Sequence, residues 1–279
     1  MHVEVTTDVV QGYADDARKG EQGIVDSIRT ITGKLLQSKE EFLQFHLNMR
    51  ELERTLLKSE DKDELLKHVM LHFTQDDLQM LNDLYCEWET RLERRFVNFL
   101  DLGVVKHYLD YPLYARFERL ISREVYLLRD RKPERVLFIG SGPMPVTALC
   151  MHHHLGVRID CLEHNLNAVE ESRVVIEKLG MSDAIHVIHG QGQEVNASLY
   201  DVIVVALLAK PKRKILESIA KTCSKDIRVV CRTSDGSRQV FYEPTVADAI
   251  PDSFYAVEHA KAGVDDTISS VLLKRALSS

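Results

Sequence analysis

The chain of 279 residues can form one large domain or two smaller ones, and its 44 % hydrophobic and 28 % charged residues are ordinary for a globular protein. A net charge of −7 argues against non-specific nucleic-acid binding, which needs a basic surface. No apolar run has the length of a transmembrane helix, and the first residues lack the basic and apolar regions of a signal peptide.

The first half of the chain is predicted to be helical. Glycine is sparse across residues 8–130, and a second helix is expected from Pro112 to about Leu128. Glu89 and Glu93 lie one turn apart on the flank of an apolar stripe. Three- and four-residue steps place the stripe on one helix face: Leu81, Tyr85, Trp88, Leu92, Phe96 and Phe99. A charged connector at 129–134 marks the expected boundary between a helical domain (1–130) and a second domain (131–279).

Strands and helices alternate in the second half. Helices are predicted at 145–154, 166–179 and 211–223. Short apolar runs predict seven strands, at 135–139, 158–162, 185–189, 201–206, 227–231, 254–258 and 268–274. This alternation indicates a Rossmann-like α/β domain with a parallel sheet and right-handed crossovers. No helix is expected between the last two strands, which therefore favour an antiparallel edge, as is typical of transferases that use S-adenosylmethionine (SAM).

A glycine turn between a strand and a helix is the clearest sign of a ligand site. Gly140-Ser141-Gly142 follows an apolar strand, and Pro143 begins the turn into a helix, where proline is tolerated. Glu163 ends the next strand about 20 residues later, where a carboxylate can accept both ribose hydroxyls. Nicotinamide and SAM domains share this arrangement. Doubly wound sheets of other functions also carry glycine-rich turns, and Glu163 could simply cap a loop.

Four stretches together resemble the nicotianamine synthase family. The residues that carry the resemblance lie in four blocks: FIGSGPMPVT (138–147), YDVIVVALL (200–208), RTSDGSR (232–238) with Phe241, Tyr242 and Pro244, and LYCEWETRLE (84–93). The likeness covers roughly residues 75–275. It implies transfer of the 3-amino-3-carboxypropyl (aminobutyrate) group of SAM, with release of 5′-methylthioadenosine (MTA).

The chain looks most like the bacterial branch of the family, which makes opine metallophores of the staphylopine and pseudopaline type. The resemblance implies that one aminobutyrate is added to the amine of D- or L-histidine, in functional partnership with a histidine racemase or an opine dehydrogenase. Five cysteines without C-x-x-C spacing are typical of reduced thiols, so we expect a cytoplasmic protein. Membrane and nucleic-acid partners are not expected, and a homodimer is left open.

The resemblance also implies a SAM site. Gly140 to Pro143 would cradle the methionine or ribose part, and Glu163 would hold the ribose. Gln191, where other members of the family have an acidic residue, would contact adenine. The full set of predicted SAM-binding residues is Gly140, Ser141, Gly142, Pro143, Glu163, His164, Asn165, Gly190, Gln191, Ala206, Leu207 and Leu208.

The family's catalytic glutamate corresponds to Glu93, with Glu89 as a second candidate. The family also has a catalytic tyrosine, in a motif that contains two tyrosines. The first tyrosine of the motif corresponds to Tyr114. The second corresponds to Phe117, so if the second is the catalytic one, this chain lacks its hydroxyl. Both glutamates could instead form a surface ion-pair lattice with Arg91, Arg94 and Arg95.

Two arginines, Arg232 and Arg238, are predicted to bind a substrate carboxylate, because guanidinium matches a carboxylate bidentately. Tyr242 is expected to line the same site. No metal site is predicted, because the adjacent histidines 152–154 point in different directions on a helix. The basic cluster 210–214 is expected to be a solvated turn.

Three other functions fit parts of the pattern. They are iterative nicotianamine-type synthesis with glutamate or several SAM units, SAM-dependent methylation, and SAM binding without catalysis. The Pro143–Pro145 turn and the helical first half count against an ordinary methyltransferase.

Overall fold

A computed structural model describes the backbone of residues 7–58, 61–245 and 247–276 and the side chains from residue 23 onward within those ranges. The helices of the first half are α1 (Thr7–Ser38), α2 (Phe42–Leu57), α3 (Lys62–His72) and α4 (Gln75–Asp101). None of the helices in the described ranges is long and apolar enough to cross a membrane.

The chain forms two compact units. Of the described residues, the first unit contains those up to Trp88 together with Gly236–Phe241, and the second contains Glu89–Asp235 and those from Tyr242 onward. The division falls within α4 and does not coincide with the predicted domain boundary at residue 130. The helix α5 (Tyr114–Leu127) belongs to the second unit, because its buried side chains pack on the helix that follows the glycine turn.

Aromatic side chains fill the interior of the first unit. The ring of Tyr85 packs against those of Trp88 and Phe241, at centroid separations of 5.2 and 4.6 Å. The amide of Asn82 donates to the carbonyl of Val240 at 2.9 Å and ties the short segment Gly236–Phe241 to α4. The predicted apolar stripe on α4 is buried except for Phe99, which is 37 % exposed.

The second unit is built on a seven-stranded sheet. Its strands are β1 (Arg135–Ile139), β2 (Arg158–Glu163), β3 (Ile185–His189), β4 (Val202–Val205), β5 (Arg228–Thr233), β6 (Phe254–Ala260) and β7 (Ser269–Arg275). The spatial order is β3-β2-β1-β4-β5-β7-β6; the first five strands are parallel, and β7 and β6 complete the sheet antiparallel. The predicted α/β fold and antiparallel edge are confirmed.

Three helices connect the parallel strands: α6 (Val146–Leu155), α7 (Leu166–Lys178) and α8 (Lys212–Thr222). β1, β4 and β5 are buried along nearly their whole length, as expected where helices cover both sides of a sheet. The chain order reverses at β1, since β2 and β3 lie on one side of it and β4 on the other. Ligand sites of open α/β sheets form at such a point, outside the carboxyl ends of the strands.

Candidate active site

A cavity of about 450 Å³ lies within the second unit at the carboxyl ends of β1, β2 and β4. Its size is in the range of small-molecule sites. All of the predicted site residues except Tyr114 and Arg238 line it. Those present are Glu89, Glu93, Phe117, Gly140, Ser141, Gly142, Pro143, Glu163, His164, Asn165, Gly190, Gln191, Ala206, Leu207, Leu208, Arg232 and Tyr242.

The glycine turn is fastened to the end of β2. The N–H of Gly142 donates to Oε2 of Glu163 at 3.0 Å, and the N–H of Asn165 donates to Oε1 at 2.9 Å. The imidazole of His164 lies 2.9 Å from the same Oε1. Oε2 accepts only the Gly142 N–H among these contacts and keeps a further lone pair. The buried Glu163 can therefore hold the turn and still accept a hydrogen bond from a ligand.

Two glycines of the turn adopt left-handed backbone conformations. Gly140 has φ = +85°, and Gly142 has φ = +67°. A Cβ on Gly140 would lie 3.1 Å from the Cβ of Ala206. A Cβ on Gly142 would lie 3.0 Å from Oε2 of Glu93. Both glycines are thus required by conformation and by space, and Gly142 brings the turn directly against the carboxylate of α4.

The environment of Glu93 suits a proton acceptor. Burial raises the pKa of Glu93 well above its usual range, and the negative charges of Glu89, Glu163 and Glu171 raise it further. The N–H of Met144 hydrogen-bonds to the Glu93 carboxylate and acts in the opposite direction. A carboxyl group whose pKa is shifted towards neutrality can exchange protons with an amine at physiological pH.

Glu89 lies one turn before Glu93 in the same cavity wall. The hydroxyl of Tyr242 donates to Oε2 of Glu89 at 2.5 Å, and the tyrosine side chain is buried. Residues four apart on a helix share a face, so both carboxylates point to the same side of α4. The wall is therefore strongly acidic.

Lys212 supports the loop that follows β4. Its ammonium group donates to the carbonyls of Ala206 at 2.6 Å and Leu207 at 2.8 Å. Burial lowers the pKa of Lys212 to about 8. The expectation of a solvated basic turn at 210–214 is therefore wrong for this lysine. Its long apolar stem lets it lie beneath the loop, with the charge satisfied by carbonyl oxygens.

Arg232 is held by a buried carboxylate. Its guanidinium contacts both oxygens of Glu124, at 2.9 and 3.0 Å, and donates to the hydroxyl of Thr147 at 3.1 Å. Ser270 donates to the same carboxylate at 2.6 Å. Arg232 lines the cavity, but a substrate carboxylate would have to compete with Glu124, so its role as a carboxylate-binding residue stays a prediction.

Two predicted residues lie elsewhere. The hydroxyl of Tyr114 donates to Glu118 at 3.1 Å, and burial raises the pKa of this phenol. Phe117, one turn later on α5, lines the cavity instead. Arg238 is buried in the first unit, whereas Arg232 belongs to the second. Catalytic and substrate-binding roles for Tyr114 and Arg238 stay predictions.

The histidines at the end of α6 contact separate partners. His152 Nδ1 lies 2.8 Å from the carbonyl of Val157, and His154 Nε2 lies 2.6 Å from Glu118. Within the described ranges, no group of three or more His, Cys, Asp or Glu side chains could hold a metal ion.

Four polar residues of the cavity wall were not among the predicted site residues: Thr90, Arg94, Thr147 and Lys210. The sequence offered Arg94 only as a partner of Glu89 and Glu93 in an alternative surface ion-pair lattice. Its position directly after Glu93 was the only available signal.

The comparison with known families identifies the relationship. A family model described as nicotianamine synthase protein matches residues 25–279. The chain belongs to the nicotianamine synthase family. The resemblance inferred from the four sequence blocks is thereby confirmed.

Curated relatives of two kinds match. L-histidine 2-aminobutanoyltransferase of Yersinia pestis is 27 % identical over 128 residues, which is 46 % of this chain and 48 % of the relative. Probable nicotianamine synthase 4 of Arabidopsis thaliana is 27 % identical over 212 residues, 68 % of this chain and 63 % of the relative. The chain thus spans about half of the length of the first relative and slightly less than two thirds of the second.

Solved structures of the protein MtNAS share the fold. A variant of MtNAS with one glutamate replaced by glutamine, in complex with SAM, superposes with a TM-score of 0.79 at 26 % identity, covering 90 % of this chain and 97 % of that one. MtNAS in complex with MTA and tNA gives a TM-score of 0.80 at 26 % identity, over 90 % and 98 % of the two chains. SAM is the donor substrate in this family, as the resemblance implied.

Proposed function

We propose that the protein transfers the 3-amino-3-carboxypropyl group of SAM to the amine of an amino acid, with histidine as the acceptor, and releases MTA. The observation that carries the proposal is the contact between a carboxylate and the glycine turn. The Glu93 carboxylate lies so close to Gly142 that a single methyl group would touch it. An amine that reaches the Glu93 carboxylate would therefore also lie beside a ligand in the turn, with an acceptor for its proton.

The residues of the cavity fit SAM. Three carboxylates, those of Glu89, Glu93 and Glu163, face a space that would receive a sulfonium cation, and opposite charges attract strongly where water is excluded. The carboxylate of Glu163 at the end of β2 suits the ribose hydroxyls. Gly190 and Gln191, at the end of β3, would lie near the adenine.

When bound, SAM supplies a carbon–sulfur bond that breaks as the amine nitrogen bonds to the same carbon, so that the sulfur leaves as the thioether of MTA. The attacking nitrogen must be neutral and loses one proton after the bond forms. Glu93 accepts that proton. Three carbons are bonded to the positively charged sulfur, and each is open to attack by the amine. The shape of the cavity wall therefore decides which of them reacts.

Histidine as acceptor is supported by the name of the Yersinia pestis relative, across about half of each chain. The product would be an N-substituted amino acid with a free terminal amine, suited to a reductive condensation. We further propose that the enzyme is cytoplasmic and takes part in metallophore biosynthesis, together with an opine dehydrogenase and a histidine racemase.

The test is mass spectrometry of the purified protein incubated with SAM and, in separate reactions, L-histidine, D-histidine, glutamate or no acceptor. The proposal predicts MTA together with histidine carrying one added aminobutyrate. MTA formed with glutamate or with SAM alone would instead indicate nicotianamine-type synthesis. S-adenosylhomocysteine would indicate methylation, and an absence of any turnover would leave a SAM-binding protein.

Glu93→Gln separates binding from chemistry. The amide keeps the size of the side chain but cannot accept the proton, so we expect SAM binding without turnover. Glu87→Gln, on the same helix but outside the cavity lining, is the matched control and should retain activity. Full activity in Glu93→Gln would remove this residue from the mechanism.

A further inference from the structure

The acidic cavity raises a question of charge balance. Glu89, Glu93 and Glu163 attract a sulfonium or an amine, but they repel the carboxylate that every α-amino acid also carries. Three side chains in the lining carry a permanent positive charge: Arg94, Lys210 and Arg232. A guanidinium or ammonium group among them would offset the repulsion of a bound amino acid.

Two of the three cations already have a carboxylate partner at close range. Arg232 is buried and bound bidentately by Glu124, with Thr147 as a third contact. The ammonium of Lys210 is paired with Glu243, and both side chains are about half exposed. A ligand carboxylate would have to displace these partners.

Arg94 differs from both. Its only hydrogen bond within the described residues is a long one, from Nε to Oε2 of Glu171 at 3.4 Å. The two terminal amino groups of the guanidinium therefore remain for a ligand, and they have the fork geometry that matches a carboxylate. The side chain is about 44 % exposed, so it can adjust to a ligand without breaking a buried contact.

Arg94 also follows the proposed proton acceptor directly in sequence. Both Glu93 and Arg94 line the cavity, although adjacent residues on a helix point about 100° apart. In an α-amino acid the amine and the carboxylate are attached to the same carbon. A carboxylate acceptor beside a guanidinium donor is the pairing that such a molecule requires.

We propose that Arg94 binds the α-carboxylate of an amino-acid group, either of the acceptor whose amine faces Glu93 or of the donor's own aminobutyrate arm. If Arg94 binds the acceptor, the inference rests on the proposed function. If Arg94 binds the donor, it can be tested by binding alone. The failure of the inference is therefore distinguishable from the failure of the proposed function.

The acceptor arm compares histidine with histamine, which lacks the carboxylate. If Arg94 binds the acceptor's carboxylate, Arg94→Gln lowers kcat/KM for histidine by about 10- to 100-fold, the size expected for losing hydrogen bonds to a charged group, and leaves kcat/KM for histamine unchanged. Arg94→Lys should restore part of the activity with histidine, because it keeps the charge without the fork.

The donor arm compares SAM with MTA, which lacks the aminobutyrate group, by titration calorimetry without turnover. If Arg94 binds the donor carboxylate, Arg94→Gln weakens SAM binding by about 10- to 100-fold and leaves MTA binding unchanged.

Arg95→Gln is the matched control for both arms. Arg95 is the next residue on α4, stacks over Phe99 at 5.3 Å and is not part of the cavity lining. The proposal is supported if Arg94→Gln, but not Arg95→Gln, changes the histidine-to-histamine ratio of kcat/KM or the SAM-to-MTA ratio of affinities. The ratio that changes shows whether Arg94 binds the carboxylate of the acceptor or of the donor. If Arg94→Gln alters neither the histidine-to-histamine ratio nor the SAM-to-MTA ratio, Arg94 is not a carboxylate site. If the wild-type protein turns over no amino acid, the proposed function fails, and calorimetry with SAM and MTA alone decides the role of Arg94.

Discussion

The phenol of Tyr242 donates a 2.5 Å hydrogen bond to Oε2 of Glu89, in the wall of the cavity that Glu93 also lines. Tyr242 follows the segment that returns from the first unit, and Glu89 begins the part of α4 that belongs to the second. The bond orients one carboxylate of an acidic wall whose charge acts on its neighbour: the negative charge of Glu89 is the largest electrostatic cause that raises the pKa of Glu93.

Glu89→Gln should therefore shift the pH dependence of turnover. Because Glu93 accepts a proton only when ionised, the rate falls as the pH drops through the raised pKa of Glu93. Removing the negative charge of Glu89 lowers that pKa, so the acidic limb of the kcat profile should move to lower pH. The glutamine can still accept the hydrogen bond from Tyr242, so the change acts mainly through charge.

The measurement is the pH profile of MTA release. Glu170→Gln removes an exposed carboxylate from α7 and serves as the control, with no expected shift. An acidic limb that stays in place in Glu89→Gln, or moves to higher pH, would contradict the electrostatic coupling between the two glutamates.

Glu163→Ala tests the ribose assignment. The carboxylate is the predicted acceptor of the ribose hydroxyls and also receives the N–H groups of Gly142 and Asn165. Its loss should weaken SAM binding by about 1.5–3 kcal/mol, the range for hydrogen bonds to a charged group. MTA should lose the same amount, because it retains the ribose, which separates this effect from that of Arg94→Gln. Unchanged affinities would refute the assignment.

The strands were predictable because each is a short apolar run with clear ends. The expected strand at 201–206 is observed at Val202–Val205, and the one at 268–274 at Ser269–Arg275. The glycine turn and Glu163 were also predictable, because a turn with two left-handed residues at a strand end needs glycine at fixed positions. These features depend on local sequence.

Long-range packing was not predictable in the same way. The partner of Arg232 is Glu124, 108 positions away, and no spacing rule joins them. The burial of Lys212 depends on the path of the loop after β4, which offers carbonyls at the reach of its stem. The connector at 129–134 looks like a boundary in sequence, yet α5 packs on α6 and belongs with the sheet.

Gly142→Ala should impair catalysis more than its cost in stability explains. A left-handed conformation costs a residue with a Cβ about 1–2 kcal/mol, and here the new Cβ would also lie 3.0 Å from Oε2 of Glu93. The carboxylate must move, so we expect turnover to fall at least about 10-fold, since misplacing a reacting group by about 1 Å can lower a rate 100-fold.

Gly180→Ala is the matched control, because Gly180 has φ = +66° but nothing within 4 Å of the added Cβ. It should show a similar loss of thermal stability with turnover unchanged. Equal effects of the two substitutions on turnover would mean that Gly142 serves the backbone conformation alone.

The buried pair of Arg232 and Glu124 separates a stabilising role from substrate binding. Both side chains are at most 3 % exposed. Arg232→Met should lower the free energy of unfolding by about 3–5 kcal/mol, because it leaves the charge of Glu124 buried without its partner. Replacing both residues with methionine should recover most of that loss, since an apolar pair of similar volume has no charge to desolvate.

Thermal unfolding of the single and double variants measures this change in stability, with the KM for the amino acid as the second readout. A double variant that is stable and keeps the wild-type KM assigns Arg232 to the fold; one that is stable but binds the amino acid weakly makes Arg232 a carboxylate-binding residue, as predicted from the sequence.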